Sequence, residues 1–181
     1  MSKMLDLLFS TNCQKILSFL IQNPDKEYFD RQISKLAGIS RAGTNFALRD
    51  LAQNGLVFRE KRGRMYFYKA ISNDAITKQL KIVRSIILLC QLIKKLKDLS
   101  IKIVLYGSAA KGEDRADSDI DIFIMTRDAD EVKKIIFKDK LRERIQYVIK
   151  TPNEFIQSKK NNPVFYQEVE DGILLWETKS T

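Results

Sequence analysis

Two apolar segments joined by a polar one place the strongest constraint on how this chain can fold. The first, Ile101–Tyr106, is typical of a buried strand and leads directly into Gly107-Ser108. Ten residues follow this serine before Asp119, and a second strand is predicted from residue 120 onwards. Side chains two positions apart in a strand share a face, so Asp119 and Asp121 are expected to converge. The segment therefore predicts two strands, a glycine-serine turn and two carboxylates at one end of a sheet.

The chemistry of these residue types indicates a metal ion beside a phosphate group. Neighbouring carboxylates repel each other unless a cation lies between them, so Asp119 and Asp121 favour a divalent cation. Gly107 lets the backbone approach a phosphate closely, Ser108 can donate hydrogen bonds to phosphate oxygens, and Lys111 extends the same turn. A metal that faces a phosphate cradle is what phosphoryl or nucleotidyl transfer requires. The alternative is an acid-rich turn without a ligand.

The composition excludes several other kinds of site. The 181 residues include no histidine, which excludes a Ser-His-Asp triad, a histidine zinc site and an imidazole base. Catalysis must then rest on carboxylates, lysine, hydroxyl groups or a metal. Cys13 and Cys90 lie in apolar helical patterns and are expected to be buried thiols in a reducing compartment. Since the apolar runs are short and no signal peptide is evident, we expect a cytoplasmic protein without a membrane partner.

Positive charge is concentrated in the first half of the chain. Residues 1–70 carry a net charge of +6 and residues 71–100 one of +4, whereas residues 101–181 carry a net charge of −1. The total is +9. A basic half suits a polyanionic partner, and a near-neutral half suits a separate task. Charge alone is equally compatible with a basic surface that has no such partner.

The first seventy residues predict three helices followed by a hairpin. In order, the elements are a helix around Cys13–Leu20, a helix over Phe29–Ala37 that ends at Gly38, a helix capped by Ser40, and strands over Leu56–Arg59 and Met65–Tyr68. In the second helix, Ile33, Leu36 and Ala37 are expected to face inward. The residues between the strands, Lys61–Arg64, form a basic hairpin tip. Two helices joined by a short glycine turn are the parts of a helix-turn-helix.

A long helix is predicted between the two halves. Asn73 is a suitable N-cap for a helix that runs to about Lys97, and the apolar face of this helix is too wide for a lone surface helix. It is expected to pack within the chain or against a second copy in a homodimer, and the sequence leaves both alternatives open. The predicted domains are residues 1–72 and 99–181, with residues 73–98 as the connecting helix.

The segment that carries the two carboxylates resembles the polymerase-beta-like nucleotidyltransferase superfamily, especially its minimal members. Their signature is Gly-Ser, ten residues and then Asp-x-Asp, found here as Gly107-Ser108 through Asp119 and Asp121. The resemblance implies an α/β (α+β) domain with a mixed sheet and flanking helices. It implies that both aspartates are catalytic and hold Mg²⁺ or Mn²⁺. It also implies that Gly107, Ser108 and Lys111 bind a nucleoside triphosphate, ATP being expected, for transfer of AMP to an acceptor hydroxyl.

The first seventy residues resemble the winged helix-turn-helix family. In that family the third helix enters the major groove of DNA and the hairpin lies along the phosphates. Carried over by position, the implied DNA-contacting residues are Arg41, Thr44, Asn45, Arg49, Arg59, Lys61, Arg62 and Arg64. The alternative is that this fold serves protein contacts or dimerisation.

One departure from the nucleotidyltransferase pattern leaves two functions open. Active members carry a third carboxylate on a later strand, and the matching position in the strand predicted over Arg144–Ile149 is Gln146. Glu143 is nearby but is expected on the opposite face. The first function is a nucleotidyltransferase that modifies a protein, nucleic acid or small molecule, as minimal members do in toxin–antitoxin operons. The second is a transcriptional regulator whose transferase domain senses nucleotide.

Overall fold

The computed structural model describes residues 3–115 and 117–178, which form two compact units. The boundary, between Lys81 and Ile82, falls inside the long helix α5 (Ala75–Leu96). Before that helix, the elements are α1 (Lys3–Leu8), α2 (Asn12–Ile21), β1 (Tyr28–Phe29), α3 (Asp30–Ala37), α4 (Arg41–Gln53), β2 (Val57–Arg62) and β3 (Met65–Ala70). In the described part of the chain, no helix has both the length and the apolar character needed to cross a membrane.

The helices of the N-terminal unit begin and end at residues suited to these positions. Gly38 ends α3 in the left-handed conformation, with a φ of 66°, which glycine adopts without steric cost. The hydroxyl of Ser40 accepts a hydrogen bond of 3.2 Å from the amide of Gly43 and caps α4. Both caps were predicted and are confirmed. The helices then pack through fully buried residues such as Ile33 and Leu48.

The sheet of this unit is antiparallel, with the strand order β1-β3-β2. The hairpin is confirmed, but its strands are longer than predicted, and Lys61 and Arg62 belong to β2 rather than to the tip. Only Gly63 and Arg64 form the loop. Gly63 has a φ of 61°, whereas Arg64 has no positive φ, since only glycines do in the described chain. A positive φ at the first loop residue alone is typical of a two-residue type II′ turn.

Two details of the predicted helices are wrong. Leu36 is 59% exposed, because α3 packs through the edge that carries Ile33 and Ala37. The N-cap of α5 is Asp74 rather than Asn73, since the Asp74 carboxylate accepts a hydrogen bond of 3.0 Å from the amide of Thr77. A carboxylate at this position also interacts favourably with the positive end of the helix dipole.

The C-terminal unit is built around a mixed four-stranded sheet. After α5, its helices and strands are β4 (Lys102–Tyr106), α6 (Gly107–Lys111), β5 (Ile120–Met125), α7 (Ala129–Phe137), β6 (Ile145–Lys150), α8 (Pro152–Asn161), α9 (Pro163–Glu170) and β7 (Ile173–Glu177). The strand order is β6-β5-β4-β7, and β5 and β6 are parallel while the other pairs are antiparallel. The mixed sheet with flanking helices is confirmed, and β7 lies at one edge of the sheet.

Helices cover both faces of this sheet. On one face, Ile120, Ile122 and Ile124 pack with residues of α5 and α7. On the other face, Phe123 packs against Phe155 of α8 and a cluster that includes α9. The alternation along β5 was predicted from its sequence and is confirmed. Asp121 shares the face of Phe123, because it is two positions away.

Candidate active site

The Gly107 turn lies directly against a carboxylate. Gly107 follows β4 with a φ of 69°, a conformation that side chains strongly disfavour. A Cβ atom built on Gly107 would lie 2.5 Å from Oδ2 of Asp121. The space that any other residue would fill is therefore occupied by this carboxylate. The turn at Gly107 and the carboxylate of Asp121 are therefore in close proximity, as predicted.

The strand register explains why Asp121 reaches this turn. Tyr106, the last residue of β4, is the antiparallel partner of Asp121 in β5. Asp119 lies just before β5 and is exposed. Burial raises the pKa of Asp121, and the negative charges of Asp119 and Glu168 raise it further. Within residues 3–115 and 117–178, the charges that shift the pKa of Asp121 are all negative, and a cation between the carboxylates would compensate them.

The donor set suits a hard divalent cation in contact with phosphate. Carboxylate oxygens from Asp119 and Asp121 are ligands that Mg²⁺ prefers. The backbone at Gly107 and Ser108 is held by hydrogen bonds from Gly112 and Glu113 to the Ser108 carbonyl, the latter 2.9 Å long. Within the described residues, however, no three acidic or cysteine side chains form a ready-made metal site.

Gln146 stands beside Asp121 in the sheet. In the parallel pairing of β5 and β6, Gln146 is the register partner of Asp121, and its side chain is exposed. Its amide is neutral and is no base at neutral pH. The expectation that Glu143 lies on the opposite face of this strand is wrong, since β6 begins only at Ile145. Glu143 belongs to the preceding 3₁₀ turn, where it accepts a hydrogen bond from Arg142.

A cavity of about 420 Å³ opens beside the turn, between α6 and α9. Gly107 and Lys111 line one wall, which brings two of the predicted nucleotide-binding residues to the same space. Glu168 and Asp171 line the other wall, and neither was predicted from the sequence. They lie far along the chain from the Gly-Ser turn, and no local pattern marks them as site residues.

The charge of Glu168 reaches the end of β4 as well as Asp121. The pKa of Tyr106 is raised to about 12, by burial first and then by the charges of Asp121 and Glu168. Tyr106 packs edge-on against Phe165 of α9, with ring centroids 5.8 Å apart. This aromatic contact fixes α9 over the end of β4.

The predicted DNA-contacting residues lie in the N-terminal unit, most of them around one concavity. It measures about 760 Å³ and is bounded by α3, α4 and the hairpin. The neutral Asn45, one of the predicted contacts, lines this concavity. The six cationic side chains that line it are Arg31, Lys35, Arg41, Arg49, Arg59 and Arg64. Arg31 and Lys35 were missed in the sequence, because only the structure shows that α3 faces the same space. Lys61 is exposed on β2 and does not line this concavity.

Two of the predicted contacts differ in the structure. Thr44 is fully buried, because the period of α4 places it on the same face as Ala47, Leu48 and Leu51. The expectation that Thr44 faces outward is therefore wrong. Arg62 is exposed, but its guanidinium group makes ion pairs with Glu27, at 2.7 Å, and with Glu60. These carboxylates compensate its charge.

Comparison with known proteins adds a family model and a structure. The model of the family described as "Polymerase beta, Nucleotidyltransferase" matches residues 89–181, which are 93 of the 181 residues. A crystal structure of a "putative nucleotidyltransferase" from Sulfolobus solfataricus is similar to the chain with 16% sequence identity and a TM-score of 0.39. This match covers 58% of the present chain and 91% of that one. A search of the curated proteins gave no significant match.

Proposed function

The chain belongs to the polymerase beta nucleotidyltransferase family, and on that basis we propose that it transfers a nucleoside monophosphate, AMP from ATP, to the hydroxyl group of an acceptor. One observation carries the proposal. The Asp121 carboxylate fills the space beside Gly107, so a metal on this carboxylate and a phosphate on the turn would be neighbours. Such contact is what metal-assisted transfer needs, because that chemistry consists mainly of positioning and charge stabilisation.

Each residue has a distinct role in this proposal. Asp119 and Asp121 hold Mg²⁺ or Mn²⁺. Gly107 and Ser108 bind the β- and γ-phosphates through amide and hydroxyl hydrogens, and Lys111 adds a positive charge at the same cavity. A metal held by Asp119 and Asp121 would neutralise charge that develops on the phosphate oxygens. The acceptor oxygen bonds to the α-phosphorus, the bond to the β-phosphate breaks, pyrophosphate leaves, and the acceptor proton is lost to a base.

The position of the radioactive label in ATP tests this reaction. The protein is incubated with Mg²⁺, cell extract and ATP labelled in either the α- or the γ-phosphate. We expect a labelled acceptor only with the α-label, and none with the double variant Asp119→Asn/Asp121→Asn. Transfer of the γ-label would show a phosphotransferase instead, and transfer of the α-label by the double variant would reject this site.

A nucleotide-sensing regulator is the second candidate, and Gln146 is the observation that favours it. A neutral amide lies beside Asp121 where the family resemblance implies an acid. If the missing acid limits transfer, Gln146→Asp should raise the rate of α-label transfer about 100-fold or more, the lower end of the range expected for one general base. If the wild type and Gln146→Asp bind MgATP equally well and neither transfers AMP, the regulator is the better description.

We also propose that the N-terminal unit is a winged helix-turn-helix that binds DNA. The order of three helices and a hairpin supports the fold, and the basic concavity supports a polyanionic partner. Two copies would suit a homodimer that reads two half-sites. Such a domain would recruit the transferase or regulate its own operon, as expected of a toxin–antitoxin system.

Salt dependence distinguishes DNA binding from protein contacts. If the six cations of the concavity each neutralise one phosphate, log K should fall with log salt concentration with a slope of about −5. Arg41→Gln/Arg49→Gln should reduce this slope by about 2. Arg62→Gln is the matched control and should change it little, because Glu27 and Glu60 already compensate Arg62. An affinity that hardly responds to salt would favour protein contacts.

A further inference from the structure

One face of the C-terminal sheet carries both Asp121 and the packing surface for α9. Phe123, two residues after Asp121, contacts Phe165 of α9 with ring centroids 6.0 Å apart. The same Phe165 ring contacts Tyr106, the register partner of Asp121. Val169 is buried in this cluster. Helix α9 is therefore held by aromatic and aliphatic contacts on the face from which Asp121 projects.

This packing places Glu168 next to the metal site. Glu168 is three positions after Phe165, so it lies one turn further along the same side of α9. It lines the same cavity as Gly107, whose Cα position lies against the Asp121 carboxylate. Its charge acts on both Asp121 and Tyr106. The carboxylate of Glu168 thus lies at the Gly107 end of this cavity, close enough to Asp121 for its charge to act on that carboxylate.

The other acidic residues at the end of α9 have partners within the protein, whereas Glu168 has none among the described residues. Glu170 pairs with Lys102 at 3.3 Å, and Asp171 accepts a hydrogen bond of 2.9 Å from Gln167. Within residues 3–115 and 117–178, no hydrogen bond or ion pair joins Glu168 to a donor or cation. An acidic side chain that adds its charge to that of Asp121 without compensation is suited to share a cation with it.

We propose that Glu168 is the third carboxylate ligand of the metal site, in place of the acid that is absent at Gln146. The inference rests on the proposed nucleotidyltransferase function. Glu168 is exposed, so its side-chain torsions can carry the carboxylate towards Asp119 and Asp121 when a metal neutralises their repulsion. A side chain on α9 thereby supplies the function that the resemblance assigns to a strand residue beside Asp121.

Manganese binding tests this role without reference to turnover. Free Mn²⁺ is titrated by electron paramagnetic resonance in the presence of a non-hydrolysable ATP analogue, with the wild type and four variants. Glu168→Gln should weaken Mn²⁺ binding about 10–100-fold. Asp171→Asn removes a negative charge from the same cavity wall and is the matched control, with less than about a twofold effect. Adding Gln146→Asp to Glu168→Gln should restore much of the affinity, since it places a carboxylate beside Asp121.

The outcomes separate this inference from the proposed function. Equal effects of Glu168→Gln and Asp171→Asn would overturn the ligand role, because cavity charge alone would explain them. Unchanged affinity in Glu168→Gln, or no recovery in the double variant, would overturn it as well. If the wild type binds no Mn²⁺, or if Asp119→Asn binds it as well as the wild type, the proposed metal site itself fails. Thermal unfolding of Glu168→Gln should match that of the wild type and shows that the fold is intact.

Discussion

Replacing Gly107 with alanine tests the contact between the turn and the metal-binding carboxylate. The new Cβ would lie 2.5 Å from Oδ2 of Asp121, whereas ordinary contact begins at 3.4 Å. Since the neighbouring backbone is part of the sheet, the carboxylate has to move by nearly 1 Å. Misplacement of a reacting group by about 1 Å lowers rates about 100-fold, which corresponds to about 2.7 kcal/mol of transition-state stabilisation.

The alanine also has to adopt a left-handed conformation. At a φ of 69° this costs roughly 1–2 kcal/mol in the free energy of unfolding. Gly55→Ala is the control for this effect, since Gly55 has a φ of 70° and open space around its Cα. We expect similar destabilisation of both variants in urea unfolding. Only Gly107→Ala should lose α-label transfer, by about 100-fold.

A transfer rate of Gly107→Ala within about threefold of the wild type would refute this reasoning. It would mean that the carboxylate moves without consequence, and hence that Asp121 is not positioned by the turn for chemistry. Loss of transfer in Gly55→Ala of the same size would point to general destabilisation instead. Similar destabilisation of both variants in urea unfolding would show that the strain at φ near 70° is common to them, so a loss of transfer in Gly107→Ala alone reports the clash with Asp121.

Three other perturbations test the packing and electrostatics. The pKa of Asp139 is lowered, since hydrogen bonds from Lys95 and from backbone amides outweigh the effect of burial. Its contribution to stability is therefore complete above the unfolded pKa of about 3.9 and is lost as the pH falls through the folded pKa. Asp139→Asn should cost about 1–3 kcal/mol in urea unfolding at pH 7, whereas the exposed Asp130→Asn should cost far less. The pKa of Asp121 is raised, so its effect on stability is the opposite: stability is lost as the pH rises from the unfolded towards the folded pKa. Asp121→Asn should therefore raise the thermal midpoint at pH 7 without metal. The same variant should abolish stabilisation by Mg²⁺. Thr44→Val should raise the free energy of unfolding by about 1 kcal/mol, because the buried Thr44 hydroxyl has no hydrogen-bond partner among the described residues. The same variant should leave DNA affinity unchanged. A loss of DNA affinity would mean that Thr44 does contact DNA.

The features that could be predicted from the sequence depend on local geometry. The alternation that separates Asp121 from its flanking isoleucines follows from the period of a strand. The positions of Gly38 and Ser40 follow from the dihedral and hydrogen-bond needs of helix ends. The family resemblance implies that Gln146 matches the position of the third carboxylate, and the parallel register of β5 and β6 pairs Gln146 with Asp121.

The features that could not be predicted depend on contacts between distant parts of the chain. Glu168 reaches the site because aromatic side chains hold α9 against the sheet, and no local pattern encodes this contact. The partner of Arg62, Glu27, is 35 positions away. The burial of Thr44 has a local cause, because Thr44 lies three and four positions before Ala47 and Leu48 and so shares their face of α4.

The most direct test of the central claim is equilibrium binding of a non-hydrolysable ATP analogue, measured calorimetrically with and without Mg²⁺. The wild type should bind the analogue tightly only with Mg²⁺. Asp119→Asn/Asp121→Asn should lose this Mg²⁺ dependence while keeping the fold, as circular dichroism would show. If the double variant binds the analogue with the same affinity and the same dependence on Mg²⁺ as the wild type, the nucleotide and metal do not meet at Gly107 and Asp121.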